Sequence, residues 1–227
     1  MTDSGFSDRQ IVESWHKNVA PWVQAVRDRQ IASREAVTNR AILDTILAQA
    51  PRSLLDLGCG EGWLVRAAAA KGIAAVGIDA IPALVAAAQT AGGGEFRVMD
   101  YEAIAAGELA LTVDAVVCNF ALFGEAIVEQ LFRAIPALLT ADGVLIVQTL
   151  HPVVACGDLP YQDGWRTGSW AGFSDTFTDP PPWYFRTIAS WIELLHRCGF
   201  RLQALHEPLH PHTGRPASLI VVASCRG

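Results

Sequence analysis

Apolar residues along this chain follow two different periods. Near the amino end Ile11, Trp15, Val19, Trp22 and Val26 recur at spacings of 4, 4, 3 and 4, which is one stripe along a helix. Ser7 and Gln10 precede the stripe as a capping box, with Ser7 as N-cap. Pro21 has no amide proton to offer the carbonyl of Lys17, so the helix is expected to kink or restart there. A second helix, over about 33–50, turns Val37, Ala41, Ile42 and Ile46 inward and stops at Pro51. Together these predict an N-terminal helical cap over 1–50.

Past residue 51 the pattern changes. Short, nearly continuous apolar runs at 53–57, 74–78, 95–98, 113–118 and 143–150 alternate with helical stretches at 62–71, 81–90, 101–108 and 125–139. Strands that are apolar on both faces and separated by helices predict a parallel sheet covered on both sides. The carboxyl end differs. A helix over 186–198 stops at Gly199, and "FRLQALHE" and "SLIVVASC" follow with only a ten-residue loop between them. That loop is too short for a helical crossover, so these strands are expected to pair antiparallel. The reading is a seven-stranded α/β core over 51–227. Residues 152–183 show no clear element and are rich in aromatics, and they read as a lid insertion. Asp163–Gly164 is a candidate turn for a small hairpin inside it.

Bulk properties narrow the partners. At 227 residues and 51% hydrophobic content, the chain can build one large core. A net charge of −6, with no cluster of Lys or Arg, argues against a nucleic-acid partner. Five scattered cysteines without a CxxC read as reduced thiols. The polar, acidic start and the lack of an 18-residue apolar run predict a soluble, cytoplasmic protein with no membrane partner. His206, His210 and His212 crowd one loop; a metal would need a thiol or carboxylate in the correct geometry, so a solvated loop and no metal are expected.

The chemistry concentrates in "LLDLGCGEGWL", residues 54–64. A dinucleotide loop places its third glycine five residues after the first, to let the helix pack on the strand. Counted from Gly58 that position holds Trp63, and the glycines stand at Gly58, Gly60 and Gly62 instead. The backbone at Gly58 and Gly60 can approach a ligand, but a pyrophosphate clasp is not indicated. Asp79 ends the next strand, 19 residues after Gly60, where an acid accepts both hydroxyls of a ribose. Asp100 ends the third strand in "RVMD", where a carboxylate accepts from an exocyclic amine. The fourth strand ends in "CNFALF", with Asn119 and Phe120 at the switch point of the sheet.

In this order and at these spacings, "LLDLGCGEGWL", "GIDA", "RVMD", "DAVVCNFALF" and "GVLIVQTLHP" resemble the class I S-adenosylmethionine-dependent methyltransferases, over roughly 53–225. The resemblance implies a doubly wound, mostly parallel sheet of order 3-2-1-4-5-7-6 with strand 7 antiparallel. It implies S-adenosyl-L-methionine as cofactor, leaving as S-adenosyl-L-homocysteine. Carried over by position, Gly58, Cys59 and Gly60 line the methionyl and ribose part, with Asp56 bracing the loop and Cys59 a small apolar filler. Asp79 and Ala80 meet the ribose and Asp100 the adenine amine, while Tyr101 flanks the base. Asn119 and Phe120 meet the methionyl end, and Arg34 pairs with its carboxylate.

The implied reaction is methyl transfer to an oxygen or nitrogen of a small, partly apolar or aromatic acceptor, by a monomer or homodimer. Trp15, Trp165, Trp170 and Tyr184 are candidate acceptor contacts. Arg186 either clamps an anionic substrate or satisfies loop carbonyls. His151, which ends the fifth strand at the same edge, is the candidate general base; the alternative is a histidine that anchors the loop. A nicotinamide-dependent oxidoreductase and a catalytically silent cofactor-binding scaffold are the competing functions. "DPPPWY" (179–184) resembles a signature of enzymes that methylate nucleic-acid amines, but "NFAL" already fills the fourth-strand slot, so the prolines read as a stiff end to the lid.

Overall fold

A computed structural model describes residues 5–226. Helices α1 (Asp8–Lys17) and α2 (Val19–Arg27) share the predicted stripe but part at Asn18 rather than at Pro21. Pro21 falls in the first turn of α2, where an amide proton has no intrahelical partner to lose. The Gln10 side chain accepts from the Ser7 amide at 2.9 Å, as a capping box requires. The second predicted helix opens with a π-helical turn, Arg34–Thr38, and continues as α3 (Asn39–Ala48).

The alternating region follows as β1 (Ser53–Leu57), α4 (Trp63–Ala69), β2 (Ala74–Asp79), α5 (Pro82–Ala91), β3 (Glu95–Val98), α6 (Tyr101–Ala105), β4 (Val113–Asn119), α7 (Ala126–Ala134) and β5 (Leu139–Thr149). A short helix α8 (Pro152–Ala155) and two short strands, β6 (Gly164–Arg166) and β7 (Trp183–Phe185), belong to the lid. Helix α9 (Ile188–Arg197) and strands β8 (Phe200–His206) and β9 (Leu219–Cys225) complete the chain. The main sheet has the order β3-β2-β1-β4-β5-β9-β8, with β1 to β5 parallel and β9 antiparallel to both neighbours. With the lid strands left out of the count, this is the expected 3-2-1-4-5-7-6.

The period of two along each strand divides the core. Leu55, Leu57, Val116, Cys118, Leu145 and Val147 pack to one side, against Leu131 and Phe132 of α7 and Trp191 of α9. Leu54, Val117, Ile146, Ile220 and Val222 pack to the other, against Ile42 and Ile46 of α3 and Leu64 of α4. Each such side chain contributes about 1.5–3 kcal/mol by leaving water. With both faces covered, the carboxyl edge of β1, β2, β3 and β4 is left for a ligand.

The lid is more regular than its sequence. β6 and β7 pair antiparallel, Gly164 with Phe185, Trp165 with Tyr184 and Arg166 with Trp183. Gly164 is therefore a strand residue, and Asp163–Gly164 is not a hairpin turn. The chain between these strands folds back over the sheet edge and is fastened to α1 through Ser14 and Asn18. Among the described residues no helix is long and apolar enough to cross a membrane, and no group of His, Cys, Asp and Glu is arranged to hold a metal.

Candidate active site

The loop after β1 is fixed by the strand beside it. The amides of Gly58 and Cys59 donate to the carbonyl of Ile78, at 2.8 and 3.0 Å. The Gly60 amide donates to one Asp79 carboxylate oxygen at 2.8 Å, and the other oxygen accepts from the Ile81 amide at 2.9 Å. All three loop glycines have positive φ. A Cβ on Gly58 would lie 2.4 Å from Cβ of Ala121 and 2.8 Å from the Tyr101 hydroxyl. One on Gly62 would lie 2.5 Å from the Phe96 ring. Gly62, just before α4, thus supplies the close helix–sheet approach that a dinucleotide loop obtains one residue later.

Above the strand ends lies a cavity of about 630 Å³, within the range of small-molecule sites. Asp56, Gly58, Cys59, Gly60, Asp79 and Ala80 line it from β1 and β2, Asp100 and Tyr101 from beyond β3, and Asn119 and Phe120 from β4. Asp100 also caps α6, accepting from the Ala103 amide at 2.8 Å. Tyr101 donates to the carbonyl of Ala121 at 3.3 Å.

Among the described lining residues three buried side-chain atoms have no hydrogen-bond partner: Oγ1 of Thr38, Oδ1 of Asp56, which is 2% exposed, and Oδ1 of Asn119. Burial, and after it the like charge of Asp79, push the Asp56 carboxyl up to about 7, while Arg34 pulls it back. Arg34 starts the π turn, is buried, and stacks on Trp63 at 4.9 Å and Trp22 at 5.6 Å. Burial brings it down to about 10 against the pull of Glu61, Asp56 and Glu35. Asp79 is raised by burial and held down by its two amide bonds. Burial also raises the Cys59 thiol, which stays protonated as an apolar filler and not a nucleophile.

The roof is aromatic. Trp15 of α1 stands edge-on to Trp22 of α2 at 5.0 Å and to Trp170 of the lid at 5.7 Å. Trp170 packs on Phe173 at 5.4 Å and on Phe177 at 4.7 Å. Glu61, 1% exposed, ties this roof to the glycine loop. Its carboxylate accepts from Arg66 at 2.6 Å and from Arg27, at the end of α2, at 3.3 Å.

Charge separates the competing ligands. The described lining holds six carboxylic acids, Asp8, Asp56, Glu61, Asp79, Asp100 and Glu102, and one cation, Arg34. A pyrophosphate would meet repulsion here, whereas a sulfonium with an ammonium would not.

Residues 55–147 match a family model described as a methyltransferase domain. That stretch, from β1 into β5, is what the chain shares with methyltransferase domains. No curated protein matches the chain. Among solved structures, an S-adenosylmethionine dependent methyltransferase from Mesorhizobium loti is 24% identical with a TM-score of 0.61, covering 79% of this chain and 95% of its own. A protein from Listeria monocytogenes assigned to the same class is 22% identical with a TM-score of 0.65, over 82% of this chain and 95% of its own. The glycopeptide N-methyltransferase MtfA, complexed with S-adenosyl-L-methionine, is 17% identical with a TM-score of 0.61, over 81% and 86%. At these identities the likeness is one of fold.

The fold gathers most of the sequence-predicted site residues at one cavity and leaves four out. Trp15 and Trp170 line it; Trp165, Tyr184, Arg186 and His151 do not. Trp165 and Tyr184 pair across the β6–β7 ribbon, their rings 5.7 Å apart, and Trp165 donates to Glu125 at 3.0 Å. Arg186 donates to the carbonyls of Gly124 and Glu125 at 2.8 Å each, so it satisfies loop carbonyls and is no substrate clamp. His151, 3% exposed, holds Glu207 at 2.7 Å, outside the cavity lining, and is a loop anchor in this arrangement, not a base at the cavity. The structure adds Trp22, Trp63, Phe123, Phe173 and Trp183 to the lining. Trp22 was detectable as the next tryptophan of the stripe that holds Trp15, and Trp183 needed the β7 alternation.

Proposed function

We propose that this methyltransferase transfers a methyl group from S-adenosyl-L-methionine to an oxygen or nitrogen of a small, partly apolar or aromatic molecule. The observation that carries the reading is an acid-lined cavity at the carboxyl edge of β1, β2 and β4 under an aromatic roof. The orphaned carboxylate oxygen of Asp56 and the close approach left by Gly58 fit the methionyl end of the cofactor. Asp79 keeps lone pairs for ribose hydroxyls beyond its two amide bonds, since a carboxylate offers about four acceptor sites. Asp100 has one oxygen left for the adenine amine, and Tyr101 lies beside it. Arg34 fits the methionyl carboxylate.

The cofactor supplies a methyl group on a positively charged sulfur. What remains for the protein is alignment and the exclusion of water. Trp15, Trp22 and Trp170 close the cavity with faces that tolerate a cation and offer no competing nucleophile. Gly58 and Asn119 form the floor on which the methionyl end of the cofactor would lie.

Thermal unfolding with S-adenosyl-L-homocysteine, NAD and NADP in parallel tests the cofactor. A ligand at one hundred times its Kd adds about 2.7 kcal/mol. The expected result is a shift with S-adenosyl-L-homocysteine alone, lost in Asp79→Ala. A shift with NAD alone would overturn the reading. Incubation with methyl-labelled cofactor then tests the acceptor class: label is expected in small molecules, and label only in protein or nucleic acid would defeat it.

A further inference from the structure

One face of α1 has an unusual duty. Asp8, Ile11, Val12 and Trp15 stand at i, i+3, i+4 and i+7, and all four line the cavity. The apolar stripe of this helix is therefore the wall of a ligand site, with a carboxylate at its head. Asp8 is positioned from the facing element: its oxygens accept from the amides of Glu125 and Ile127, at 2.9 and 3.2 Å, at the start of α7. Phe123, whose ring lies 6.4 Å from Trp15, closes the same end. The one lining cation among the described residues, Arg34, is engaged elsewhere, between Trp22 and Trp63.

From this juxtaposition we infer that the acceptor is a small basic amine, and that Asp8 with Trp15 and Phe123 forms the pocket that selects its nitrogen. The inference rests on the proposed methyl transfer and names its substrate class. An anionic acceptor would face carboxylates, with Arg34 assigned to the methionyl carboxylate and Arg186, which lies within reach of the Asp8 charge, held outside the lining on the carbonyls of Gly124 and Glu125. A hydroxyl acceptor would need a nearby base, and the described lining holds no histidine and no lysine. An amine needs neither. Its neutral form, having left a proton in water, uses the nitrogen lone pair to form the new N–C bond as the S–C bond breaks. The sulfur leaves as an uncharged thioether, and the positive charge arises on nitrogen. That charge grows toward the carboxylate of Asp8 and the faces of Trp15 and Phe123, where fixed groups favour the transition state over the ground state.

The test uses the full chain saturated with S-adenosyl-L-homocysteine and three probes of one shape: 2-phenylethylamine, 2-phenylethanol and phenylacetate. Binding is read by calorimetry and by the tryptophan fluorescence of the roof. The amine is expected to bind at least tenfold tighter than either isostere. Asp8→Asn, which keeps an acceptor for one of the two α7 amides, is expected to lower amine affinity about tenfold and to leave the alcohol unmoved. Equal binding of the three probes, binding by none, or a preference for phenylacetate overturns the inference while a shift with S-adenosyl-L-homocysteine leaves the methyltransferase reading intact. Failure of S-adenosyl-L-homocysteine itself to bind overturns both.

Discussion

Asn18 and Thr178 are joined by a reciprocal pair of hydrogen bonds. The Asn18 side-chain amide donates to the Thr178 carbonyl at 2.8 Å, and its oxygen accepts from the Thr178 amide at 2.9 Å. The same amide donates to the Ser14 carbonyl at 2.8 Å. Lys17 adds an exposed ion pair to Asp179 at 2.7 Å, a contact of little energetic weight. Asn18 is 0% exposed, so its removal leaves backbone groups of the lid unpaired in a dry place. Asn18→Ala is expected to cost about 2–3 kcal/mol. Amide hydrogen exchange over residues 168–179 should quicken far more than in β4 or β5. Unchanged exchange in the lid would show that the fastening lies elsewhere.

Asp56 makes the unliganded protein sensitive to pH. Its carboxyl titrates near 3.8 when unfolded and is raised to about 7 by burial. Below the lower value both states hold the proton and nothing is lost. As pH rises from about 4 to about 7, the unfolded chain releases its proton first, so stability falls across that window and then levels. Asp56→Asn should flatten that slope and stabilise the unliganded protein at pH 7 by roughly 2–4 kcal/mol. The same change should weaken S-adenosyl-L-homocysteine. In the wild type, affinity for that ligand should rise up to about pH 7, since binding an ammonium favours the charged acid. Calorimetry in two buffers of different ionisation enthalpy checks this through the proton released.

Two glycines with left-handed φ give a matched pair. Gly58→Ala meets Ala121 at 2.4 Å, whereas Gly72→Ala, at a similar φ, meets nothing within 4 Å. Backbone strain alone costs about 1–2 kcal/mol in either variant. The clash adds about 1–3 kcal/mol at Gly58 only. Thermal unfolding should therefore rank Gly58→Ala well below Gly72→Ala, and only the former should lose ligand binding. Equal losses would mean that the loop yields.

His151→Gln separates a base from an anchor. With His151 bound to Glu207 and absent from the cavity lining, the variant should lose about 1 kcal/mol of stability. Its kcat should keep the wild-type pH profile. A kcat reduced a hundredfold or more, with a flattened acid limb, would restore His151 as the base.

The sheet was legible because each strand is a short apolar run and the acids recur at one end of those runs. Asp56, Asp79 and Asp100 come together for that reason alone. The lid was less legible because its regular parts, β6 and β7, are three residues each and pair across a long excursion. Without that pairing its aromatics cannot be sorted. With it, alternation turns Trp183 toward the cavity and Tyr184 with its partner Trp165 away. For Arg186 and His151 the sequence left two readings open, and the structure fits the second of each for a common reason. Both stand near the correct edge, but a buried donor is claimed first by whatever acceptor folding brings to it, here the carbonyls of Gly124 and Glu125 and the carboxylate of Glu207. The break at Asn18 was misplaced because its cause is a tertiary bond to Thr178, which no local pattern records.

Glu61 belongs to the glycine loop, yet it grips the end of α2, and α2 carries Trp22 into the roof. The walls of the cofactor cleft and of the acceptor pocket are thus parts of one body, and the two affinities are linked. The coupling free energy between two sites has a single value, so whatever factor the first ligand lends the second is returned in full. Where the pair is S-adenosyl-L-homocysteine and the acceptor of the proposed reaction, a factor above one means that fresh acceptor holds the spent cofactor harder. The kinetic signature is inhibition by excess acceptor, through a dead-end ternary complex that forms under the same roof that makes the reaction dry.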